Sequence, residues 1–200
     1  MILCWFLICY VFNNNEQHIT EVFGNRLNPV ARAEKYIEKG NYKKALKILA
    51  KTFKKYPNSL DLARLRFEYG KYIPFDDSHH EAAIDYFNLQ MQFDVSGEKV
   101  HNDFVKYMTT TQGRIQIDDE TLVKLSVVFA ANGFENNAIY IINNMIRKEC
   151  ELPQFVDALV AIINYFEEKG SDKKTSGYKN YLKWHYPDHE MTHYILSRNS

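Results

Sequence analysis

The stretch GNYKKALKILAKTFKKYP, residues Gly40–Pro57, decides the fold. Glycine accepts the left-handed conformation that a helix C-terminus commonly needs, so Gly40 ends one helix. Tyr42, Ala45, Leu46, Leu49 and Phe53 then recur at three- and four-residue steps and give the next helix an apolar face. Ala45 is small where two helices must approach closely. Pro57 stops the second helix, because the residue before a proline disfavours helical geometry. The stretch therefore predicts a helix, a tight turn and a second helix lying back on the first.

Working outward, the same spacing recurs. Leu122, Leu125 and Phe129 precede Gly133, and Ala138, Ile142 and Met145 follow it; Ala138 lies as far beyond Gly133 as Ala45 lies beyond Gly40. A third glycine, Gly170, stands as far before Pro187 as Gly40 stands before Pro57. The helix between them holds Tyr178, Tyr181, Leu182 and His185 one step out of that spacing, and Gly177 is expected to interrupt it.

On Gly40, Tyr42, Ala45, Leu46, Leu49, Phe53 and Pro57, with Ala33 and Tyr36 before them, the chain resembles the tetratricopeptide repeat family. Arg32 stands where the family usually has a large apolar residue, Ser126 where it has Gly or Ala, and Met145 where it has Ala. One such unit cannot bury its own faces, so several are expected to stack. The resemblance spans about Pro29–Pro187 and implies an all-α fold: a right-handed superhelix of antiparallel helix hairpins, an α-solenoid. It also implies a scaffold that holds a peptide or a partner helix in a concave groove lined by the first helix of each hairpin. Groove candidates are Arg64, Lys124, Val127, Ala131, Val160 and Asn164. Some family members grip a peptide's C-terminal carboxylate with Lys and Arg in those helices. The matching places here are Val30, Glu34, Val123 and Val127, so that clamp is not expected.

Between the clear hairpins the pattern is looser. Leu62, Leu65, Phe67 and Tyr69 give a helical face over 59–72, and Ser78 with Glu81 forms a capping box that starts another helix with Ala82, Ala83, Tyr86, Phe87 and Met91 inside. These two read as a repeat with a long turn. A helix over 96–110, with Val100, Phe104, Val105 and Met108, has no evident partner. Asp118 caps the helix of Leu122. Phe155, Val156, Leu159, Ile162, Ile163 and Phe166 mark another helix, and residues 188–198 a last one that covers the final apolar face, as solenoids need.

Composition agrees. Glycine and proline number only 8 and 5 among 200 residues, and 46% of the chain is hydrophobic. The formal net charge is zero, so no global field recruits nucleic acid, and none is expected as a partner. Cys4, Cys9 and Cys150 form neither a disulfide framework nor a zinc-ribbon spacing. No phosphate loop or nucleophile elbow occurs, so no cofactor and no small-molecule substrate is expected. Charge is uneven along the chain: residues 32–71 hold 12 basic and 4 acidic side chains, and residues 76–125 hold 10 acidic and 4 basic. Lys43, Lys47, Lys51 and Lys55 form a basic stripe, which reads as a solvated outer face.

Residues 1–28 are set apart as a hydrophobic N-terminal segment and a polar linker, ahead of a repeat domain over 29–200. Met1–Phe12 is too short to span a bilayer as a helix, which needs about 20 residues. It reads either as a signal or membrane anchor, or as a segment packed on the first repeat. The first reading places the protein outside the cell or on a membrane, and the second in the cytoplasm. No Lys or Arg precedes the run and no small-residue cleavage site follows it.

His189-Glu190-Met191-Thr192-His193 is an HExxH string. On a helix it aligns two imidazoles to bind zinc, with the glutamate as general base on a bound water. A third ligand would have to come from upstream, such as His185. The plainer expectation is a capped terminal helix with exposed histidines. His79 and His80 are likewise expected at the surface. Three functions follow: a non-catalytic interaction or assembly scaffold, a zinc hydrolase using His189, Glu190 and His193, and a structural helical domain of an envelope or surface protein.

Overall fold

The computed structural model describes residues 29–73, 77–94 and 96–198, and every regular element among them is an α-helix. The fold is all-α, of the helical-repeat class that the sequence predicts. The chain divides into two compact units between Phe75 and Asp76. Met1–Phe12, with its readings as signal, anchor or packed segment, lies outside the described residues. Among the described residues no helix is long and apolar enough to cross a membrane.

The first unit holds α1 (Pro29–Glu38), α2 (Tyr42–Phe53) and α3 (Leu60–Gly70), with α2 packed on both of the others. Gly40 makes the first turn at a φ of 69°. Its N–H donates to the Ile37 carbonyl at 2.8 Å, and the Asn41 N–H donates to Tyr36 at 2.7 Å, closing the helix end. The Asn41 side chain then caps α2 by accepting from the Lys44 N–H at 3.3 Å. Ala33, Ala45, Leu49 and Phe53 are buried, and Ala45 and Leu49 are sealed completely. Helix α2 ends at Phe53, short of Pro57, and Tyr56 closes the turn on Thr52 and Phe53.

Helix α3 departs from its expected inner face. Leu65 and Tyr69 are half-buried, whereas Ala63 and Arg66 are buried. The Arg66 guanidinium lies 4.7 Å from the centre of the Phe53 ring. A planar, weakly hydrated cation can stack on an aromatic face and bury its stem, which is how a charged residue enters this interface.

The second unit holds seven helices among its described residues: α4 (Asp77–Phe93), α5 (Glu98–Thr110), α6 (Asp119–Ala131), α7 (Glu135–Arg147), α8 (Pro153–Glu168), α9 (Asp172–His185) and α10 (Glu190–Ser197). Helix α6 packs on α4, α7 and α8, and helix α8 packs on α6, α9 and α10. The first helices of successive hairpins thus form a row, α4, α6, α8, with α10 packed on the last. The apolar positions expected around Gly133 and along α8 are all sealed: Leu122, Leu125, Phe129, Ala138, Ile142, Met145, Phe155, Leu159, Ile162 and Phe166 are at most 1% exposed.

The helix that the sequence leaves without a partner, α5, packs on α4. Large rings bridge these helices and α6. Phe87 meets Phe104 and Tyr107 edge-on at 6.1 Å, and Phe104 meets Phe129 at 5.3 Å. At the same interface the Tyr86 hydroxyl donates to Asp103 Oδ2 at 2.6 Å, and Lys99 and Lys106 pair with the same carboxylate at 3.1 and 2.9 Å. The long-turn repeat is drawn differently from expectation: α3 packs on α2, and α4 packs on α5 and α6, with the unit boundary inside that turn. Periodicity names the buried face of a helix; it does not name the helix that covers it.

Two further expectations are corrected. Helix α9 runs unbroken through Gly177, because Leu182 is sealed beneath it and Tyr181 meets Phe155 edge-on at 6.3 Å. Packing of this kind outweighs the intrinsic helix penalty of one glycine, about 1 kcal/mol. His79 is not a surface residue; it is 3% exposed, beside the rings of His80 and Tyr107. Burial lowers its pKa to about 4, so the imidazole is neutral at physiological pH.

Candidate binding surface

Asp118 fixes where α6 begins and so which residues α6 presents. Its Oδ1 accepts from the Thr121 N–H at 2.9 Å and its Oδ2 from the Thr121 hydroxyl at 2.8 Å. Asn88 of α4 donates to that hydroxyl at 2.8 Å, tying the cap to the neighbouring helix. Lys124, Val127 and Ala131 then fall at three- and four-residue steps on one face. Lys124 and Ala131 are exposed and Val127 is half-buried. The Lys124 ammonium sits 2.7 Å from Glu120.

On α8, which packs against α6, the two predicted positions part company. Asn164 is half-buried and its Oδ1 accepts from Arg198 Nη1 at 2.7 Å. Val160 is only 2% exposed and belongs to the core, because α8 is covered by α6, α9 and α10. Arg64 lies in the first unit, half-buried and paired with Asp61 at 2.8 Å. Lys124, Val127, Ala131 and Asn164 are thus accessible positions on two packed first helices, and Arg64 is a separate position on α3.

The HExxH string does not form the helical metal face. His189 is the N-cap of α10, with an extended backbone at φ −78° and ψ 132°, and its Nδ1 accepts the Met191 N–H at 3.2 Å. The first histidine is therefore outside the helix and one ring nitrogen is occupied. Glu190 sits in the first turn, where a carboxylate favours the helix dipole, and His193 is exposed. His185 stacks on Tyr181 at 4.2 Å. Among the described residues no group of three or more His, Cys, Asp or Glu side chains could hold a metal ion. Cys150 is buried, and burial raises its thiol pKa, away from nucleophilic use.

The sequence reading missed a surface in the first unit. Lys39, Gly40, Asn41, Tyr42, Lys43, Tyr72 and Ile73 line an open hollow of about 450 Å³. Tyr42 and Tyr72 stack face to face with ring centres 4.4 Å apart, and Lys71 lies 5.0 Å from the Tyr72 ring. Tyr72 remains 49% exposed. Lys43 continues from this hollow into the stripe of Lys47 and Lys51, all exposed on α2, while Lys55 falls beyond the end of that helix. The only sequence signal was the run of lysines; Tyr72 comes to the hollow from beyond α3, 30 positions from Tyr42.

No protein-family model matches the chain, and no curated protein matches it. Among solved structures it is similar to PilW, whose structure is described as that of a widely conserved type IV pilus biogenesis factor. That similarity covers 84% of this chain and 96% of PilW at 12% identity, with a TM-score of 0.29.

Proposed function

We propose that this protein is a non-catalytic interaction scaffold of the tetratricopeptide-repeat kind, which binds a peptide or helix of a partner protein along its first helices. The observation that carries the reading is the row of first helices in the second unit. Helix α6 lies between α4 and α8, and α8 between α6 and α10, so neighbouring hairpins bury their apolar faces against one another. Stacking of that sort leaves a continuous side formed by first helices, and helical repeats use such surfaces for binding. Lys124, Val127, Ala131 and Asn164 supply charged, apolar, small and amide groups there, a mixture suited to a protein partner.

The test is affinity capture on the full chain, followed by reconstitution with the purified captured protein. A stoichiometric complex that Ala131→Arg weakens at least tenfold supports the reading, because Ala131 is exposed and an arginine there blocks the surface without disturbing the core. A partner that binds the wild type and this variant equally refutes the placement. Turnover of a peptide by the purified chain, abolished in His193→Ala, refutes the non-catalytic assignment.

A further inference from the structure

We infer that the lysine face of α2, together with the Tyr42–Tyr72 hollow, is a second docking surface, for an acidic polypeptide segment of another protein. It lies on the second helix of its hairpin and does not rest on the first-helix surface proposed above.

Lysine pairing differs between the two units. In the second unit Lys99, Lys106, Lys124, Lys148 and Lys179 each pair with a carboxylate. In the first unit Arg64 pairs with Asp61, and among the described residues Lys39, Lys43, Lys47 and Lys51 have no carboxylate within ion-pair distance. Residues 32–71 carry 12 basic and 4 acidic side chains, so this stretch holds more cations than its own carboxylates can neutralise.

Spacing and shape specify the occupant. Lys43, Lys47 and Lys51 rise about 6 Å per step along α2. Carboxylates on alternate residues of an extended segment are spaced about 6.6–6.8 Å apart, close to that step. The hollow sits at one end of the stripe and shares Lys43 with it. Its two stacked tyrosines bring aromatic surface and hydroxyls to the lining, which holds Lys39 and Lys43 but no acidic residue. A nucleic acid is disfavoured because the formal net charge of the chain is zero, whereas nucleic-acid binders carry a net basic domain.

The experiment uses the full chain and a fluorescent oligo-glutamate peptide ending in tyrosine, read by anisotropy at low and high salt. Expected is saturable binding that weakens with salt, as exposed charge pairs do. The variant Lys43→Glu/Lys47→Glu/Lys51→Glu changes only exposed side chains and should lose about tenfold or more in affinity. Circular dichroism confirms that it remains folded. Tyr72→Ala should weaken the tyrosine-ended peptide but leave an all-glutamate peptide unchanged. The control Lys148→Glu/Lys183→Glu, in the second unit, should bind as the wild type does. Equal binding by the lysine-face variant, or equal loss in the control, overturns the inference. Tighter binding of an oligo-uridylate of matched length overturns it in favour of RNA. Salt-sensitive self-association, abolished in the lysine-face variant, overturns it in favour of a second copy of this chain.

Discussion

The substitution Gly97→Ala tests the packing of α5 most directly. Gly97 is the N-cap of α5, at a φ of 64°. A Cβ added there would lie 2.8 Å from Asn132 Nδ2 and 3.0 Å from Val128 Cγ1. Two effects follow. Forcing an L-residue into the left-handed region costs about 1–2 kcal/mol. Asn132 must also swing away, and its amide then gives up the hydrogen bond to the Val128 carbonyl at 2.9 Å, a loss of about 0.5–1.5 kcal/mol. Val128 is β-branched and cannot turn aside easily. The sum is about 1.5–3.5 kcal/mol. Gly170 is a control within the same unit: its φ is 67°, and nothing lies within 4 Å of an added Cβ. Gly170→Ala should therefore show the conformational part alone. Urea unfolding followed by helix circular dichroism measures both. If the two variants agree within about 0.5 kcal/mol, the close approach of the α5 start to the α6 end is refuted, because changes at independent sites should differ by the full steric part.

Ala45→Leu should overpack the α1–α2 contact, where Ala45 has no exposed surface, and destabilise by about 1–3 kcal/mol; an unchanged melting temperature would contradict the hairpin register. Gly177→Ala should stabilise by about 0.5–1 kcal/mol, since the position is helical and nothing lies within 4 Å of an added Cβ; a lower melting temperature would mean that the helix bends there. Burial alone would raise the Asp103 carboxyl, but hydrogen bonds from Tyr86, Lys106 and Lys99 prevail and hold it below its ordinary 3.8. A carboxylate depressed on folding adds stability that is present above its unfolded pKa and is lost as pH falls through the folded value. Unfolding free energy should therefore drop below about pH 4, and Asp103→Asn should flatten that fall; an identical pH profile in the variant would show that the cluster carries none of it.

The parts of the fold legible in the sequence are those governed by local rules. Gly40, Gly133 and Gly170 all adopt positive φ at helix ends, as a glycine following an amphipathic helix suggests. Asp118 caps α6 because a short acidic side chain before a helix has one good use there. Partner choice was not legible. Tyr86, Phe87, Phe104 and Phe129 were each readable as inward-facing or helical, yet that α5 closes on α4 and α6 depends on ring shapes meeting across helices far apart in the chain. His79 was misjudged for a related reason. Histidine is intermediate in its burial preference, and the Tyr107 ring it meets lies 28 positions away in the chain, on another helix.

The same distinction governs the candidate surfaces. Lys124, Val127 and Ala131 could be placed from a helical register, and the structure keeps them accessible. Val160 had the same register on α8 but is buried, because accessibility on a middle helix depends on how many neighbours cover it. The lysine stripe shows the converse. A run of lysines at four-residue steps is ordinary for a solvated helix face, and by itself it implies nothing more. Tyr72 changes its meaning. By stacking on Tyr42 beside Lys43, it puts an open, aromatic-lined hollow at one end of a charged face. A solvated face has no need of such a feature, whereas a docking surface does: lysines attract an acidic segment from a distance, and exposed aromatic surface beside them gives one residue of it something to pack on.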